Sequence, residues 1–135
     1  MSIGTAFHQS MKLNGKGMLE ASDIFVCNSS MIRKEYFYQL LCTGHYYCTY
    51  SYAVRRNSLD SFLVMFVVSG SLYVSQGDGP RLPVSAGQIA ILNCYGRPSY
   101  GAREKTEFYW AHFFPGTRRG TDSFTRRITL NFRVL

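Results

Sequence analysis

The stretch 92–102, LNCYGRPSYGA, concentrates groups that small proteins use on ligands: a thiol at Cys94, phenols at Tyr95 and Tyr100, and a fixed cation at Arg97. Further on, TEFYWAHFF carries Trp110, the one tryptophan of the chain, and His112. An arginine near a thiol favours the thiolate, which makes Cys94 a formal candidate for a nucleophile or redox sensor. A half-buried loop thiol explains the same residue with fewer requirements. His8, His45 and His112 lie far apart in sequence, so no metal site is expected. Gly-x-Ser-x-Gly, a phosphate-cradling glycine loop and paired carboxylates at a strand end are all missing. The residues therefore predict no catalytic group, no cofactor and no enzyme, and point to a binding pocket.

Strands must position these groups. Aromatic and β-branched residues recur in runs of four to eight, broken by Gly, Pro, Asn, Asp and Ser, which predicts a mostly β chain. In YYCTYSYAVRR, strand alternation puts Tyr46, Cys48, Tyr50, Tyr52 and Val54 on one aromatic face. FLVMFVVSGSLYVSQ is too apolar to alternate, and Gly70 inside it suggests a bulge or bend. QGDGPRLP reads as a hairpin loop with Asp78-Gly79 as its turn, followed by a strand VSAGQIAIL entered tightly at Gly87. In TEFYWAHFF, Phe108, Trp110 and His112 share a face opposite Tyr109, Ala111 and Phe113. Short strands with turn chemistry between them argue for a sandwich or barrel. SSMIRKEYFYQLL fits either a short capped helix or an irregular strand.

The length of 135 residues fits one domain with a core of ordinary size. Its net charge of +7 raises the question of nucleic acid, but the excess is uneven. Residues 1–117 hold ten Lys and Arg against seven Asp and Glu, a net of +3, and residues 118–135 hold five against one, a net of +4. A mildly basic solvated surface is expected for the barrel. No apolar run approaches the ~20 residues that span a bilayer, and the N-terminus lacks the pattern of a signal peptide, so a cytoplasmic protein without a membrane partner is expected. Cys27, Cys42, Cys48 and Cys94 are read as buried free thiols.

Taken in order, the segments RR, LVMFVVSGSLYV, GQIAILNCYGRPSYGA and EFYWAHFFPG resemble the cupin-like effector-binding domain of AraC/XylS-type bacterial transcription regulators. The resemblance covers roughly residues 30–117. It implies a jelly-roll barrel with a flexible N-terminal arm over 1–29 and a short basic tail over 118–135, where relatives begin their dimerisation helices. It further implies a sensor for a small molecule, often a sugar, that reaches DNA only through helix-turn-helix modules not found in these residues, with a homodimer as a possible assembly. Relatives commonly read Cys-Tyr-x-Pro-His-x-Tyr in the loop, and this chain has Pro98 in the histidine position. Metal-dependent cupin enzymes begin their ligand set with a His-x-His pair, which is also absent. The resemblance places Tyr100, Trp110 and an arginine matching Arg55 on the ligand, with Phe108, His112 and Tyr95 nearby. Arg55 and Arg56 point to opposite faces, and ungapped spacing to Gly70 selects Arg55. Composition alone leaves Trp110 equally a core residue or a ligand contact. The runner-up functions are a stand-alone cupin enzyme and an interaction domain without ligand.

Overall fold

The alternation of β-branched and aromatic residues with turn formers is realised as strands throughout. The computed structural model of the chain describes residues 16–26, 39–57, 59 and 61–114. These form nine strands and no helix: β1 Asp23–Val26, β2 Gln39–Cys48, β3 Ala53–Arg55, β4 Phe62–Ser69, β5 Ser71–Gln76, β6 Leu82–Ser85, β7 Ile89–Asn93, β8 Pro98–Ala102 and β9 Thr106–Phe114. One sheet has the order β1-β2-β9-β4-β7 and the other β3-β8-β5-β6, with antiparallel pairing throughout. Setting β1 aside, these are the two four-stranded sheets of an eight-stranded jelly roll, in which every connection except the β5–β6 hairpin crosses from one sheet to the other. Among the described residues, no helix is long and apolar enough to cross a membrane.

Several strand boundaries differ from the sequence expectation. The aromatic stretch from Tyr46 is two strands in two sheets: β2 ends at Cys48, and a turn closed by Tyr52 N–H on the Thr49 carbonyl at 2.9 Å leads into β3. Tyr50 therefore leaves the predicted face and is 80% exposed at the corner. The segment VSAGQIAIL divides likewise, its first two residues ending β6, residues 86–88 turning the chain, and its last four opening β7. Pro98–Ala102, read as loop, is β8, so the loop shrinks to residues 94–97. The hairpin between β5 and β6 turns on Gly77-Asp78, where Gly79 N–H donates to the Gln76 carbonyl at 3.1 Å, rather than on Asp78-Gly79. Part of the stretch assigned to the N-terminal arm pairs with β2 as the edge strand β1. Residues 1–15, most of SSMIRKEYFYQLL, Cys27 and the tail 118–135 lie outside the described residues.

The bend expected at Gly70 is a corner between sheets. Gly70 has φ +83°, and a Cβ there would lie 2.4 Å from the Lys105 carbonyl oxygen and 2.5 Å from Thr106 Oγ1. Only glycine meets both demands. Thr106 Oγ1 closes the corner by accepting from Ser71 N–H at 3.0 Å and donating to the Ser71 carbonyl at 3.1 Å. At the other end, the Gln76 amide clasps the backbone of Asn93, donating to its carbonyl at 2.8 Å and accepting from its N–H at 2.9 Å. Each bond joins the two sheets.

Between the sheets lies one core. Tyr46, Cys48, Met65, Val67, Leu92, Phe108 and Trp110 come from the larger sheet, and Val54, Leu72, Val74, Val84 and Tyr100 from the smaller. Tyr46 is its hub, with T-shaped ring contacts to Trp110 at 5.2 Å, Phe108 at 5.8 Å and Tyr52 at 6.2 Å between centroids. Such edge-to-face pairs add to burial about 0.5–1.5 kcal/mol each. The smaller sheet ends at β6, whose middle holds Pro83 opposite Tyr73 of β5.

Candidate binding site inside the barrel

β9 runs between β2 and β4, and its alternation delivers Phe108, Trp110 and His112 to the interior. The Trp110 indole lies against Gly44, its register partner on β2: a Cβ on Gly44 would sit 2.4 Å from the ring. β8 brings Tyr100 inward from the opposite sheet, and Tyr52 stands between Tyr100 and Phe108, with ring centroids 6.5 and 5.9 Å away. Four of the six residues singled out from the sequence, Tyr100, Trp110, Phe108 and His112, thus share one buried interior.

The other two do not join them. Arg55 pairs with Ser99 on the outer side of the smaller sheet and is exposed. The inward arginine is Arg56, 6% exposed, whose Nε–H donates to Tyr100 Oη at 3.4 Å. Tyr95 packs its ring 5.5 Å from Phe62, which by strand parity lies on the side of β4 opposite His112. Ser61 had drawn no attention in the sequence, yet its buried hydroxyl bonds His112 Nδ1 at 2.9 Å. Its carbonyl accepts from Cys94 N–H at 3.1 Å, placing the thiol at the same end of the barrel.

Burial sets the charges here. It drives the pKa of His112 well below the ordinary value, with the Arg56 charge acting in the same direction, so the imidazole is neutral. Burial raises the Tyr100 phenol, opposed by Arg56. The Cys94 thiol is pushed up to about 12 by burial, against the pull of Arg56 and Ser61. The thiolate envisaged beside Arg97 is therefore corrected: Cys94 is fully buried and protonated, and Arg97 pairs instead with Asp78 at 2.8 Å. Cys42, Cys48 and Cys94 are buried and in no disulfide among the described residues, while Cys27 lies outside them.

Among the described residues, the interior brings the Arg56 cation together with neutral donors and acceptors and aromatic walls. The Trp110 indole N–H is buried without an acceptor among the described residues. This set can hydrogen-bond a small polar molecule and stack against an apolar ring face. No group of three or more His, Cys, Asp or Glu converges among the described residues. His45, on β2, faces outward, bonded to Glu107 at 2.7 Å and stacked 4.1 Å from Tyr109.

No protein-family model and no curated protein matches the chain. Solved structures do match. The chain is similar to the conserved SPY1581 protein of unknown function from Streptococcus pyogenes, with TM-score 0.57 and 16% identity, covering 74% of this chain and 76% of that one. An HTH_3 family transcriptional regulator from Vibrio cholerae is similar at TM-score 0.53 and 14% identity, over 81% of this chain and 62% of the regulator. A predicted oxalate decarboxylase from Thermotoga maritima is similar at TM-score 0.51 and 12% identity, over 69% and 79%. Identities this low speak to fold. The fold is a cupin-like jelly roll. The expectation that the chain is not an enzyme is corrected by the same comparison: a cupin-like barrel similar to a predicted oxalate decarboxylase gives no ground for excluding catalysis, and that exclusion is withdrawn.

Proposed function

We propose that the chain is the effector-sensing domain of a bacterial AraC/XylS-type transcription regulator, and that its cupin-like barrel takes a small polar ligand of sugar type between Trp110, Tyr100 and Arg56. The observation that carries the reading is the buried Arg56–Tyr100 hydrogen bond in the same interior as Trp110, whose indole N–H lacks an acceptor among the described residues. Burying an indole donor is costly unless a polar partner repays it, and a ligand hydroxyl is such a partner. Trp110 and Tyr100 supply the aromatic surface that suits the apolar side of a sugar ring. The ordered segments of sequence shared with AraC/XylS-type domains support the regulator context, as does the fold likeness to a helix-turn-helix regulator. In this reading the domain works in the cytoplasm, as a homodimer, and DNA is contacted only by helix-turn-helix modules.

Trp110 is the sole tryptophan, so its emission reports on the site without a label. A panel of pentoses and hexoses is expected to contain a sugar that shifts this emission saturably and raises the unfolding temperature. A ligand binding only the folded state stabilises it by about 2.7 kcal/mol at a hundredfold excess over Kd. The stabilisation should be lost in Trp110→Phe and Arg56→Gln variants that still unfold cooperatively. A broad panel without a shift, or a hit kept at full strength by both variants, would sink the reading.

A further inference from the structure

The outer side of the smaller sheet has a different chemistry from the interior. Arg55 on β3 stands opposite Ser99 on β8, and Ser99 stands opposite Ser75 on β5, so the three form one cross-strand row facing outward. Directly opposed residues sit about 4.5–5.5 Å apart, and two serines in the middle of such a row make a low polar floor. In the next row Tyr73 lies over Gly101, where a Cβ would come within 2.6 Å of the Tyr73 hydroxyl. Arg81 leaves the β5–β6 hairpin with its guanidinium 4.2 Å from the centre of the Tyr73 ring, which orients the cation. Arg97 stands at the far side, steadied by Asp78. A cleft of about 440 Å³ opens over this floor, lined by Arg55, Arg81 and Arg97 with one acid, Asp78; Arg56 also borders it, but its Nε–H is directed to Tyr100 in the barrel.

Among the described residues, the outward side chains of this lining carry three cations, Arg55, Arg81 and Arg97, against one carboxylate, Asp78, a net of +2 in a concave space. Neither Arg55 nor Arg81 has an ion-pair partner among the described residues. Guanidinium groups gathered without balancing carboxylates repel one another, and a concave low-dielectric wall focuses their field, which favours an anion. The planar fork of arginine matches phosphate oxygens in pairs. A volume of about 440 Å³ falls within the range of small-ligand sites and is too confined for the backbone of a duplex to be followed along it.

We infer that this cleft is a second ligand site, separate from the barrel interior, that binds the phosphate group of a small molecule through Arg55, Arg81 and Arg97 with Ser99 as a floor donor. The phosphate can be free inorganic phosphate or the ester of a small metabolite, since both present the same tetrahedral oxyanion.

The test is isothermal titration of the full chain with inorganic phosphate and with a hexose 6-phosphate, against sodium chloride and sodium succinate at matched ionic strength. Saturable one-to-one binding of a phosphate is expected, with no saturation by chloride or succinate. Equal affinity for both phosphates assigns the site to the phosphate group alone, and tighter binding of the ester adds recognition of the organic part. Arg55→Gln and Arg81→Gln are each expected to weaken binding tenfold or more. Both residues are exposed, so thermal unfolding should match the parent. Lys105→Gln, an exposed change outside the cleft, should leave phosphate affinity unchanged. Trp110→Phe should also leave it unchanged, which separates this site from the proposed sugar site. Heats that vanish at matched ionic strength, equal binding by both arginine variants, or binding of oligonucleotides without binding of small phosphates would overturn the inference.

Discussion

His112 combines full burial, a hydrogen bond to Ser61 and a nearby fixed cation in Arg56, and each bears on its proton. Its folded pKa lies below the ordinary 6.5, so in the window between the two the unfolded chain holds a proton that the native chain lacks. Stability from this residue is complete above about pH 6.5 and is lost as pH falls through that window, with a slope of at most about 1.4 kcal/mol per pH unit. Denaturant unfolding at intervals between pH 5 and 8 should show this loss on acidification, and His112→Asn should flatten it. An unchanged pH slope in that variant would mean that His112 protonates as readily in the native barrel as in the unfolded chain. The neutral imidazole also explains why Arg56 is tolerated near it: a second cation there would be strongly disfavoured. Which arginine entered the barrel was within reach of the sequence. Val54 belongs to the inward aromatic face, and two residues on, strand parity selects Arg56. The alignment to Gly70 obscured this because it assumed an unbroken strand.

At the scale of the elements, two glycines with nearly the same backbone twist divide into different cases. Gly70 at φ +83° has carbonyl and hydroxyl oxygens within 2.5 Å of where a Cβ would stand, whereas Gly87 at φ +84° has nothing within 4 Å of that point. Gly87→Ala should cost about 1–2 kcal/mol from the left-handed backbone alone. Gly70→Ala should cost roughly 1–3 kcal/mol more, because the β4–β5 corner must also open. Equilibrium urea unfolding of both variants checks this, and equal losses would show that the corner yields freely. The alternating strand β9 was readable because inward Phe108, Trp110 and His112 meet only inward partners. The break between β2 and β3 was not readable, for a physical reason: Tyr46 and Cys48 face inward before the corner, Tyr52 and Val54 face inward after it, and the turn conserves the parity. Only Tyr50 betrays the corner, and exposure cannot be read from residue type.

Over the whole molecule, the jelly roll ties distant parts of the chain together, with Gln39 paired to Phe114 and β9 seated between β2 and β4. Such pairing must close long loops before any contact rewards it, so refolding should take milliseconds to seconds. Stopped-flow emission from Trp110, which lies on β9, measures it, and completion within microseconds would contradict this account. The two sheets also differ outwardly: the larger shows Phe66, Val68 and Tyr109 to solvent, and the smaller its arginines. The mostly β class and the barrel were evident from strand formers and turn spacing. The arginine cleft was not, because Arg55, Arg81 and Arg97 are far apart in sequence and only the sheet register assembles them.

Pro83 has a bearing on how the molecule behaves in a crowd. A sheet edge with free amides is a template for another chain, and the smaller sheet ends in two poor templates: β6, where Pro83 has no amide hydrogen to offer, and β3, which is three residues long. A neighbour docking there would find a gap in the ladder on one side and too short a run on the other. The smaller sheet is thus self-limiting, and the property is written into the backbone rather than into surface charge, so added salt leaves it intact.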